Sequence, residues 1–375
     1  MNQVLLISDQ PMPNFLPILN QNLRPDTVTF VVSDKMGKRA EWLKNEIAKH
    51  QIRILPDIPI GNDTSDIQTI QNALLGWTES NADVFAHSVL NVTGGTKPMA
   101  IAAQEVFRMG DRPVFYVDVA TDRVTWVNGE EENVILSNQP TLNQFFGLNG
   151  ITVESGDLKS VVEDERWRHF YREIAQNPHK WHLLIKTLNR IASQAEQDNM
   201  LEFNPSGRDL NLPYWHELDV LLHENDLVCH KRGGRQDEFS SSDARRFCNG
   251  IWLEHHVFEI LKSLRFDKKH ALMNVIISDE KGNRNELDAV VLHRNTCYVI
   301  EDKTKNMRVG NIADNAVYKL AQLSSRMGLR ARGILVSALD VRPADKERAR
   351  AYNVEVFDQL QTLATDLKKL FKIES

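Results

Sequence analysis

Short apolar segments alternate with amphipathic helical segments along roughly the first 145 residues of the chain. This alternation is typical of a mainly parallel, doubly wound sheet, because parallel strands need crossover connections that helices supply. It predicts strands over residues 4–7, 27–32, 53–55, 89–92 and 114–118, and helices over residues 37–50, 65–77 and 97–109. In such a sheet, ligands bind where the loops at the carboxyl ends of the strands converge.

One of these loops carries two glycines between a strand and a helix, in the segment VLNVTGGTKPMA. Gly94 and Gly95 allow the backbone to approach a ligand closely, and Thr93 or Thr96 can cap the helix that follows. The N–H groups of that helix start, the threonine hydroxyls and the Lys97 ammonium form a site for a phosphate or another anionic group. An ordinary strand-to-helix connection has the same pattern, so the loop alone does not decide between the two.

The spacing of this loop argues against two familiar nucleotide-binding classes. A Walker loop needs GxxxxGK[ST], whereas Lys97 follows a threonine and precedes a proline. A dinucleotide-binding fold needs GxGxxG after the first strand, where this chain has ISDQPMPNF without a glycine. The pattern therefore fits neither an ATPase nor an NAD enzyme.

The middle of the chain, from about residue 151 to 249, changes to helical segments that carry Trp167, Trp181 and Trp215. A short β-like run then meets a turn at Gly233 and Gly234, as in a helix followed by a β-wing. Winged helices often bind DNA, but no helix here is dense in Arg or Asn. The pattern favours a structural linker.

The C-terminal part predicts a compact α/β/α unit. Its elements are an amphipathic helix over residues 251–264, strands over 274–278, 286–293 and 296–302, a helix over 314–327, a strand GILVSAL and a terminal helix. Side chains alternate along a strand, so Glu286 and Asp288 share one face of one strand, and Glu301 and Lys303 share one face of the next. Adjacent strands would bring these four groups together.

Asp288 and Glu301 form a hard, oxygen-rich site that suits Mg²⁺ or Mn²⁺, with the Asp302 carbonyl as a further ligand. A metal can activate water for phosphodiester hydrolysis, while the Lys303 ammonium orients the nucleophile or stabilises the charge that develops on phosphorus. Glu254, on the preceding helix, could reach the same metal or a second one. Salt-bridged exposed strands are the structural alternative, but the apolar neighbours indicate central strands, where ionisable groups are costly to bury.

The net charge of −6 gives no reason by itself to expect a polyanionic partner. Residues 301–350, however, contain 11 Lys and Arg against 6 Asp and Glu. Such a charge run is often only a solvated helix face. Beside a hydrolytic site, its cations could follow a nucleic-acid backbone, and the candidates are Lys305, Arg308, Lys319 and Arg326.

Three cysteines, odd in number and without a CxxC pair, argue against a disulfide framework and a zinc ribbon. His255 and His256 are interpreted as helix-surface residues, because nothing nearby completes a zinc set. No segment approaches the roughly 18 apolar residues of a membrane span, and the start MNQVLLISDQ lacks the features of a signal peptide. We expect a cytoplasmic protein without a membrane partner.

Three motifs resemble those of one known family. TGGTKPMA resembles the signature loop of CARF domains, the CRISPR-associated Rossmann folds that sense cyclic oligoadenylates. GIWLE, with Glu254, resembles the opening helix of the nuclease in that family, and NELDAVV followed by VIEDKTK resembles its PD-(D/E)XK core. The three motifs together span nearly the whole chain. Their order is similar to that in the CARF-fused nuclease effectors of type III CRISPR systems.

The resemblance implies an α/β fold in three parts. These are an N-terminal Rossmann-like CARF domain over residues 1–150, a winged-helix-like linker over 151–245, and a C-terminal restriction-endonuclease-like PD-(D/E)XK α/β/α domain over 246–375. It also implies a homodimer that binds cyclic tetra-adenylate across its paired CARF domains. The implied activity is cleavage of single-stranded DNA and RNA, and nicking of duplex DNA, with Mn²⁺ or Mg²⁺.

Residue by residue, the resemblance makes Asp288 and Glu301 metal ligands, Lys303 the catalytic lysine and Glu254 an accessory carboxylate. Asp302 departs from the family, which commonly has a small or apolar residue there, so the surroundings of its side chain are an open question. The implied activator contacts are Thr93, Gly94, Gly95, Thr96 and Lys97, with Ser8, Asp9 and Gln10 after the first strand and Ser33 and Lys35 after the second.

Two other hypotheses remain compatible with the sequence. The chain could be a ligand-sensing regulator that binds DNA through its winged segment and keeps a vestigial nuclease fold. The first domain could also hydrolyse its own activator, although the sequence offers no clear general base for that reaction. Sequence-specific protection of DNA would distinguish the regulator from an enzyme that degrades its target.

Overall fold

The computed structural model describes residues 1–118, 120–128, 132–157, 165–231, 236–308 and 312–373. The chain forms two compact units. The first contains Met1–Val153, Ser278–Arg284 and Met327–Leu329, and the second contains Glu154–Ile277, Asn285–Arg326 and Arg330–Ser375. Most of the expected linker thus clusters with the C-terminal part, and the division into 1–150, 151–245 and 246–375 stays a prediction. Within the described ranges, no helix is long and apolar enough to cross a bilayer.

The first unit is built on an eight-stranded sheet with helices between its strands. Its strands are β1 (Asn2–Leu6), β2 (Thr27–Val32), β3 (Arg53–Ile54), β4 (Ile58–Pro59), β5 (Ser88–Asn91), β6 (Val114–Asp118), β7 (Arg123–Asn128) and β8 (Val134–Ile135). Its helices are α1 (Met12–Leu19), α2 (Gly37–Ala48), α3 (Ile67–Ser80), α4 (Ala82–Ala86), α5 (Lys97–Met109) and α6 (Leu142–Gly147). The order is β3-β2-β1-β5-β6-β7-β8, and β4 also pairs with β2.

Strand β1 lies between β2 and β5, and both pair with it in parallel. The chain goes from β1 outward to β2 and later returns to β5 on the other side, so the strand order reverses between β1 and β5. The loops that follow these two strands therefore lie at a topological switch point, where doubly wound sheets bind ligands. The predicted parallel sheet is confirmed, with β7 added antiparallel beside β6.

Helix α1 is an element that the sequence pattern did not predict. The segment ISDQPMPNF has the composition of a loop, yet Met12–Leu19 form a helix. Pro13 lies in the first turn, where its missing N–H has no helical partner to lose. Phe15 and Ile18 are fully buried, so apolar packing outweighs the unfavourable Pro17 inside the helix.

The second unit contains a six-stranded and a three-stranded sheet. The strands that lie wholly or mostly in this unit are β9 (Ile151–Asp157), β10 (Glu202–Phe203), β11 (Val228–His230), β12 (Asp237–Phe239), β13 (Ala271–Asp279), β14 (Arg284–His293), β15 (Thr296–Lys303), β16 (Ala331–Ser337) and β17 (Val354–Phe357). Its helices are α7 (Glu165–Gln176), α8 (Pro178–Gln197), α9 (Gly207–Leu210), α10 (Trp215–Glu224), α11 (Ser242–Arg246), α12 (Trp252–Ser263), α13 (Ile312–Arg326), α14 (Pro343–Ala351) and α15 (Leu363–Phe371).

The six-stranded sheet has the order β17-β16-β15-β14-β13-β9 and is covered by helices on both faces. Leu253 of α12 belongs to the same buried cluster as Ile300 of β15, so α12 packs on the face that carries Ile300. Gly333 of β16 pairs with Val299, which points to the other face, and a Cβ there would lie 3.0 Å from Leu320 of α13. The expected α/β/α layering is confirmed.

The three-stranded sheet is antiparallel, with the order β10-β12-β11, and its strands are two or three residues long. Strands β11 and β12 follow helix α10, as the expected β-wing would, whereas β10 precedes it. The predicted turn at Gly233 and Gly234 lies outside the described residues. Trp181 and Trp215 are buried in the same cluster as residues of α12, which explains why this segment is part of the second unit.

The prediction that His255 and His256 lie on the helix surface is wrong. His255 is only 6% exposed, and the Nε2 atom of His256 is buried and has no hydrogen-bond partner among the described residues. Both imidazoles face Tyr171 of α7, with ring centroids 6.5 and 6.0 Å away. Burial lowers the pKa of each histidine to about 4, so both are neutral. Helix α12 is covered by the preceding helical segment, which its own amphipathic pattern does not reveal.

Candidate functional sites

Glu301, near the end of β15, is only 4% exposed and is held by two lysines. Lys303 Nζ donates to Oε1 at 2.6 Å, and Lys319 Nζ, from α13, donates to Oε1 at 3.0 Å and to Oε2 at 2.8 Å. Burial raises the pKa of Glu301, but the charges and hydrogen bonds of the two lysines outweigh it and hold that pKa below its ordinary value. Glu301 is therefore ionised at neutral pH.

Asp288 faces this group from the neighbouring strand. Ala289 pairs with Ile300 in the antiparallel register, and one further step sets Asp288 opposite Glu301 on the same face. The backbone N–H of Asp302 donates to Asp288 Oδ2 at 2.7 Å. Burial and then the negative charge of Glu301 raise the pKa of Asp288 to about 6. The structure thus brings the predicted acids and Lys303 together, while their roles stay predictions.

Glu254 reaches the same region from the first turn of α12. Gly250, in the wide turn before that helix, has a φ of 129°, and a Cβ there would lie 2.5 Å from Thr304 Oγ1. A glycine at this position therefore lets the start of α12 approach the end of β15. Burial and then the charges of Asp288 and Glu286 raise the pKa of Glu254 to about 8, so it is largely protonated at neutral pH.

Asp302 has a side chain whose surroundings the sequence left open. Strand alternation sets it on the face opposite Glu301 and Lys303, which is the face that α12 covers. Both carboxylate oxygens are buried and accept no hydrogen bond from the described residues. Burial and then the charges of Asp288 and Glu254 raise the pKa of Asp302 well above its ordinary value. Its carbonyl, the predicted metal ligand, accepts a hydrogen bond from Lys303 Nζ at 3.2 Å.

The groups at this end of the strands fit a divalent cation. Five carboxylates that influence one another electrostatically are accompanied by two ammonium groups; the acids are Glu254, Glu286, Asp288, Glu301 and Asp302, and the lysines are Lys303 and Lys319. Carboxylate oxygens are the ligands that Mg²⁺ and Mn²⁺ prefer. Buried carboxylates without partners are unfavourable unless a proton or a cation neutralises them. A proton neutralises the Asp302 carboxyl, whose pKa is raised and whose side chain lies on the opposite face, whereas Asp288 and Glu301 share one face and could hold a cation.

The four cations predicted to contact nucleic acid occupy different surroundings. Lys319 is bound to Glu301, so it belongs to the carboxylate cluster itself. Arg308 pairs with Asp340 at 3.2 Å, and Arg326 is exposed in the last turn of α13. Lys305 lines a groove of about 310 Å³ that also includes Thr304, directly after β15. Their role in binding a nucleic acid stays a prediction.

The same groove is lined by two further basic side chains, which the sequence did not single out. Its remaining lining residues are Lys186, Asn189, Arg190 and Ser193 from α8, with Asn249 and Asn306. Lys186 and Arg190 are four residues apart and share one helix face, which is the only signal that could have singled them out. The amide of Asn189 donates to the Thr304 carbonyl at 2.9 Å, which fixes α8 beside the end of β15.

The glycine loop of the first unit packs directly against β1. A Cβ on Gly94 would lie 1.9 Å from the Leu6 carbonyl oxygen, so a larger residue does not fit without a backbone shift, and Gly95 has a φ of 71°. Thr96 is the N-cap of α5, and its hydroxyl accepts a hydrogen bond from the Met99 N–H at 3.4 Å. Lys97 is exposed in the first turn. The loop thus combines a helix N-terminus with an exposed ammonium, as a phosphate site requires.

The other predicted activator contacts lie in the loops after β1 and β2, at or beside the switch point. They are Ser8, Asp9, Gln10, Ser33 and Lys35. The Asp9 carboxylate accepts a hydrogen bond from Arg39 at 3.2 Å, which offsets its repulsion of an anionic ligand. Ser33 is buried, whereas Lys35 is exposed. All five residues lie at the same end of the parallel strands as the glycine loop.

Thr93 differs from its neighbours because its hydroxyl is already engaged. Its Oγ1 donates to Asn91 Oδ1 at 2.7 Å and accepts from the Val117 N–H at 2.7 Å. These bonds fix the end of β5 against β6. Thr93 therefore shapes the loop, and a direct contact with an activator stays a prediction.

Two family models match the chain, in the order expected from its motifs. The Card1 CARF domain matches residues 3–145, and the Card1-like endonuclease domain matches residues 241–373. The chain belongs to the Card1-like CARF-fused nucleases. Its CARF domain contains the glycine loop, and its endonuclease domain contains the carboxylate cluster with Lys303 and Lys319. A comparison with curated proteins finds no match.

Solved structures resemble this CARF-fused nuclease over nearly its whole length. Protein VC1899 from Vibrio cholerae is 25% identical, with a TM-score of 0.85, and the match covers 99% of this chain and 98% of that one. Can2 from Sulfobacillus thermosulfidooxidans, in complex with cyclic tetra-adenylate, is 26% identical, with a TM-score of 0.81 and coverage of 99% and 97%. A type III CRISPR defence DNA nuclease activated by cyclic oligoadenylate, 16% identical with a TM-score of 0.55 over 98% of this chain and 52% of that one, shares the fold alone.

Proposed function

We propose that this CARF-fused nuclease is activated by cyclic tetra-adenylate and then cleaves single-stranded DNA and RNA and nicks duplex DNA, with Mg²⁺ or Mn²⁺. The observation that carries the hydrolytic part is the buried Glu301, held by Lys303 and Lys319 beside Asp288. The activator part is supported by the loop at the switch point and by the similarity to Can2, whose solved structure contains cyclic tetra-adenylate. The proposed working form is a cytoplasmic homodimer in type III CRISPR defence.

In this proposal Lys303 is the group that touches the reacting phosphate or its nucleophile. Burial lowers the pKa of Lys303, but the charge and hydrogen bond of Glu301, with the charge of Asp288, outweigh it and raise that pKa. The ammonium therefore keeps its charge through the physiological range. A fixed positive charge at this position orients the nucleophile and stabilises the charge that develops on phosphorus.

The carboxylates provide the ligands of the proposed centre. Asp288 and Glu301 would hold the cation, with the Asp302 carbonyl as a further ligand and Glu254 as an accessory acid. A bound divalent cation supplies charge neutralisation at the phosphate and activation of water. Lys319 binds both oxygens of Glu301 and thereby fixes the orientation of that carboxylate.

The CARF domain would bind phosphate groups of the activator at the start of α5. The N–H groups of that helix and the Lys97 ammonium favour an anion there, and Gly94 and Gly95 let the loop before the helix pack closely on β1. A two-fold symmetric homodimer would present two copies of this loop to one ring of cyclic tetra-adenylate. Each half of the ring would then meet an equivalent site.

The decisive experiment is cleavage by the purified full chain with each of a panel of cyclic oligoadenylates. Labelled single-stranded DNA, single-stranded RNA and supercoiled plasmid are incubated with Mn²⁺, Mg²⁺ or EDTA. We expect cleavage only when both cyclic tetra-adenylate and a divalent cation are present. Glu301→Gln and Lys303→Ala should each abolish it, because they remove a ligand and the fixed cation.

Matched variants separate loss of the site from general damage. Glu347→Gln and Lys368→Ala change exposed residues of the same type in the same domain and should retain activity. Lys97→Ala should raise the activator concentration needed, whereas Arg108→Ala, at the far end of α5, should not. Undiminished cleavage by Lys303→Ala would contradict the assigned centre. Protection of one DNA sequence without cleavage would instead support the regulator with a vestigial nuclease fold.

A further inference from the structure

A second set of metal-ligating side chains lies between helix α10 and the hairpin of β11 and β12. It consists of His223, His230 and Asp237, each of which offers one ligand atom within 4.8 Å of the other two. His230 pairs with Asp237 across the hairpin. These residues lie on other elements than those of the proposed nuclease centre and the CARF loop. Neither proposed site uses them.

The hydrogen bond of His223 determines which of its nitrogens is available. Its Nδ1 lies 2.9 Å from the Asp219 carbonyl oxygen, which can only accept, so Nδ1 carries the proton of the neutral imidazole. The lone pair is then on Nε2, which is buried and has no hydrogen-bond partner in the part of the chain that the structure describes. Metal-ligating histidines are commonly oriented in this way, by a carbonyl bonded to the second nitrogen.

The lone pair of His223 lies beside a carboxylate oxygen, which is itself an acceptor. Its Nε2 lies 3.8 Å from Asp237 Oδ1, and the ring of His230 lies 4.8 Å away between centroids. Asp237 is only 24% exposed, and its Oδ1 is 2.6 Å from His230 Nδ1. A lone pair facing a carboxylate is unfavourable unless a proton, a water molecule or a cation lies between them. The His223 lone pair is therefore available to a cation that Asp237 would also bind.

We propose that His223, His230 and Asp237 bind a divalent transition-metal ion of the zinc type. Tetrahedral Zn²⁺, with bonds of about 2.0–2.1 Å, separates neighbouring ligand atoms by about 3.3 Å. The pair His223 Nε2 and Asp237 Oδ1 needs to close by only a few tenths of an ångström. The His230 side chain is 81% exposed, so solvent leaves it room to move from its present 2.6 Å contact with Asp237 Oδ1 to a ligand distance. Water would complete the coordination.

Ligand chemistry separates this site from the proposed nuclease centre. Two imidazole nitrogens favour Zn²⁺ and its neighbours, whereas a cluster of carboxylate oxygens favours Mg²⁺ or Mn²⁺. Cys229 is not a ligand, because alternation sets it on the other face of the hairpin. Burial and then the charges of Glu238 and Asp237 also raise the pKa of its thiol, which disfavours the thiolate.

The proposed ion would connect the hairpin to helix α10. Strands β11 and β12 have three residues each, too few to be stable through their own ladder. Their buried Val228 and Phe239 pair anchors one end of the hairpin, and the ion would anchor the His230 and Asp237 pair, two steps along the ladder. Metal binding to the folded state alone raises stability by mass action. We therefore expect Zn²⁺ to stabilise the chain.

The test is Zn²⁺ binding to the full chain, prepared without a polyhistidine tag and stripped with EDTA. Calorimetric titration in excess Mg²⁺ counts the sites, and thermal unfolding measures stabilisation. We expect wild type to bind one Zn²⁺ more than His223→Gln. If the variant still binds Zn²⁺ at this site, its affinity should be lower than that of wild type by more than the roughly 10–100-fold typical of losing an outer-shell partner. Zn²⁺ bound at the nuclease centre is common to both proteins and cancels in this difference.

Two further variants keep the test independent of folding. His230→Gln changes an exposed side chain and should lose the same Zn²⁺ site without altering the fold. His216→Gln removes an exposed histidine from the same helix and should bind and be stabilised like wild type. Co²⁺ should give a visible absorption band in wild type and His216→Gln only. Equal Zn²⁺ stoichiometry in all four proteins would overturn the proposal and leave a hydrogen-bonded cluster.

Discussion

Glu301 shows how one buried side chain orders the groups around it. Lys303 lies two residues along the same strand, so alternation predicts that it shares a face with Glu301. Lys319 comes from α13, and its two hydrogen bonds to Glu301 could not be anticipated, because the packing of α13 on that face is a tertiary property. A cation expected to contact nucleic acid is thus placed inside the carboxylate cluster.

The first prediction concerns Lys319→Ala. We expect cleavage at saturating nucleic acid to slow by roughly 10- to 100-fold, because a hydrogen bond to a charged group contributes about 1.5–3 kcal/mol. KM and its salt dependence should change little. Steady-state cleavage over a range of salt concentrations measures both. Arg308→Ala, which removes a more exposed cation, is the control and should affect KM alone; the same pattern in Lys319→Ala would show that Lys319 contacts nucleic acid.

The second prediction concerns pH. The pKa of Asp288 is about 6 and that of Glu254 about 8, both raised mainly by burial. A divalent cation binds the deprotonated acids, so its affinity should increase as pH rises from below 6 to above 8, by up to about tenfold per unit where one proton is released. Calorimetric Mn²⁺ titration at several pH values measures this. In Glu254→Gln, the increase in Mn²⁺ affinity around pH 8 should be lost. An unchanged dependence of Mn²⁺ affinity on pH would exclude Glu254 from the cation site.

At the scale of elements, glycines mark the places where two elements approach too closely for a side chain. Gly94 sets the loop before α5 against β1, and Gly250 sets the start of α12 against the end of β15. In both cases the glycine lies just before a helix whose first turn carries a predicted functional residue, Lys97 or Glu254. The predicted start of α5 is confirmed at Lys97, because Thr96 and Pro98 give a clear N-terminal signal.

The third prediction compares two glycines of the CARF domain. Gly94→Ala puts a methyl group 1.9 Å from the Leu6 carbonyl, so we expect a loss of about 1–3 kcal/mol or more and weaker activator binding. Gly76 lies inside α3, where no described atom beyond its chain neighbours and its own helix backbone comes within 4 Å of an added Cβ, so Gly76→Ala should raise the free energy of unfolding by about 1 kcal/mol. Thermal unfolding with and without cyclic tetra-adenylate measures both effects. Equal stability of the two variants would contradict the close packing of the loop on β1.

At the scale of the whole molecule, the two proposed sites belong to different compact units. The glycine loop lies in the first unit, and the carboxylate cluster lies in the second. Activation of one by a ligand of the other requires a coupling free energy between them. That coupling is reciprocal for binding: if the activator tightens nucleic-acid binding, nucleic acid must tighten activator binding by the same factor.

The fourth prediction tests this reciprocity with Lys303→Ala, which should bind substrate without cleaving it. We expect single-stranded DNA to raise the affinity for cyclic tetra-adenylate by roughly 5- to 150-fold, the usual range of allosteric coupling. Calorimetric titration of the activator, with and without DNA, gives the factor, and titration of DNA, with and without activator, must give the same one. An activator affinity unaffected by DNA would show that activation changes the rate of cleavage and not substrate binding.

The sequence by itself determined the alternation of strands and helices in the parallel CARF sheet and the two β-segments that carry Asp288, Glu301 and Lys303. These features depend on periodicity, caps and turns, which are local and therefore readable along the chain. Only the tertiary structure placed Lys319 on Glu301, buried His255 and His256 under α7, and set His223 opposite the hairpin of His230 and Asp237. Those relations join residues that are distant in sequence, and burial and charge pairing between them arise only when the elements pack.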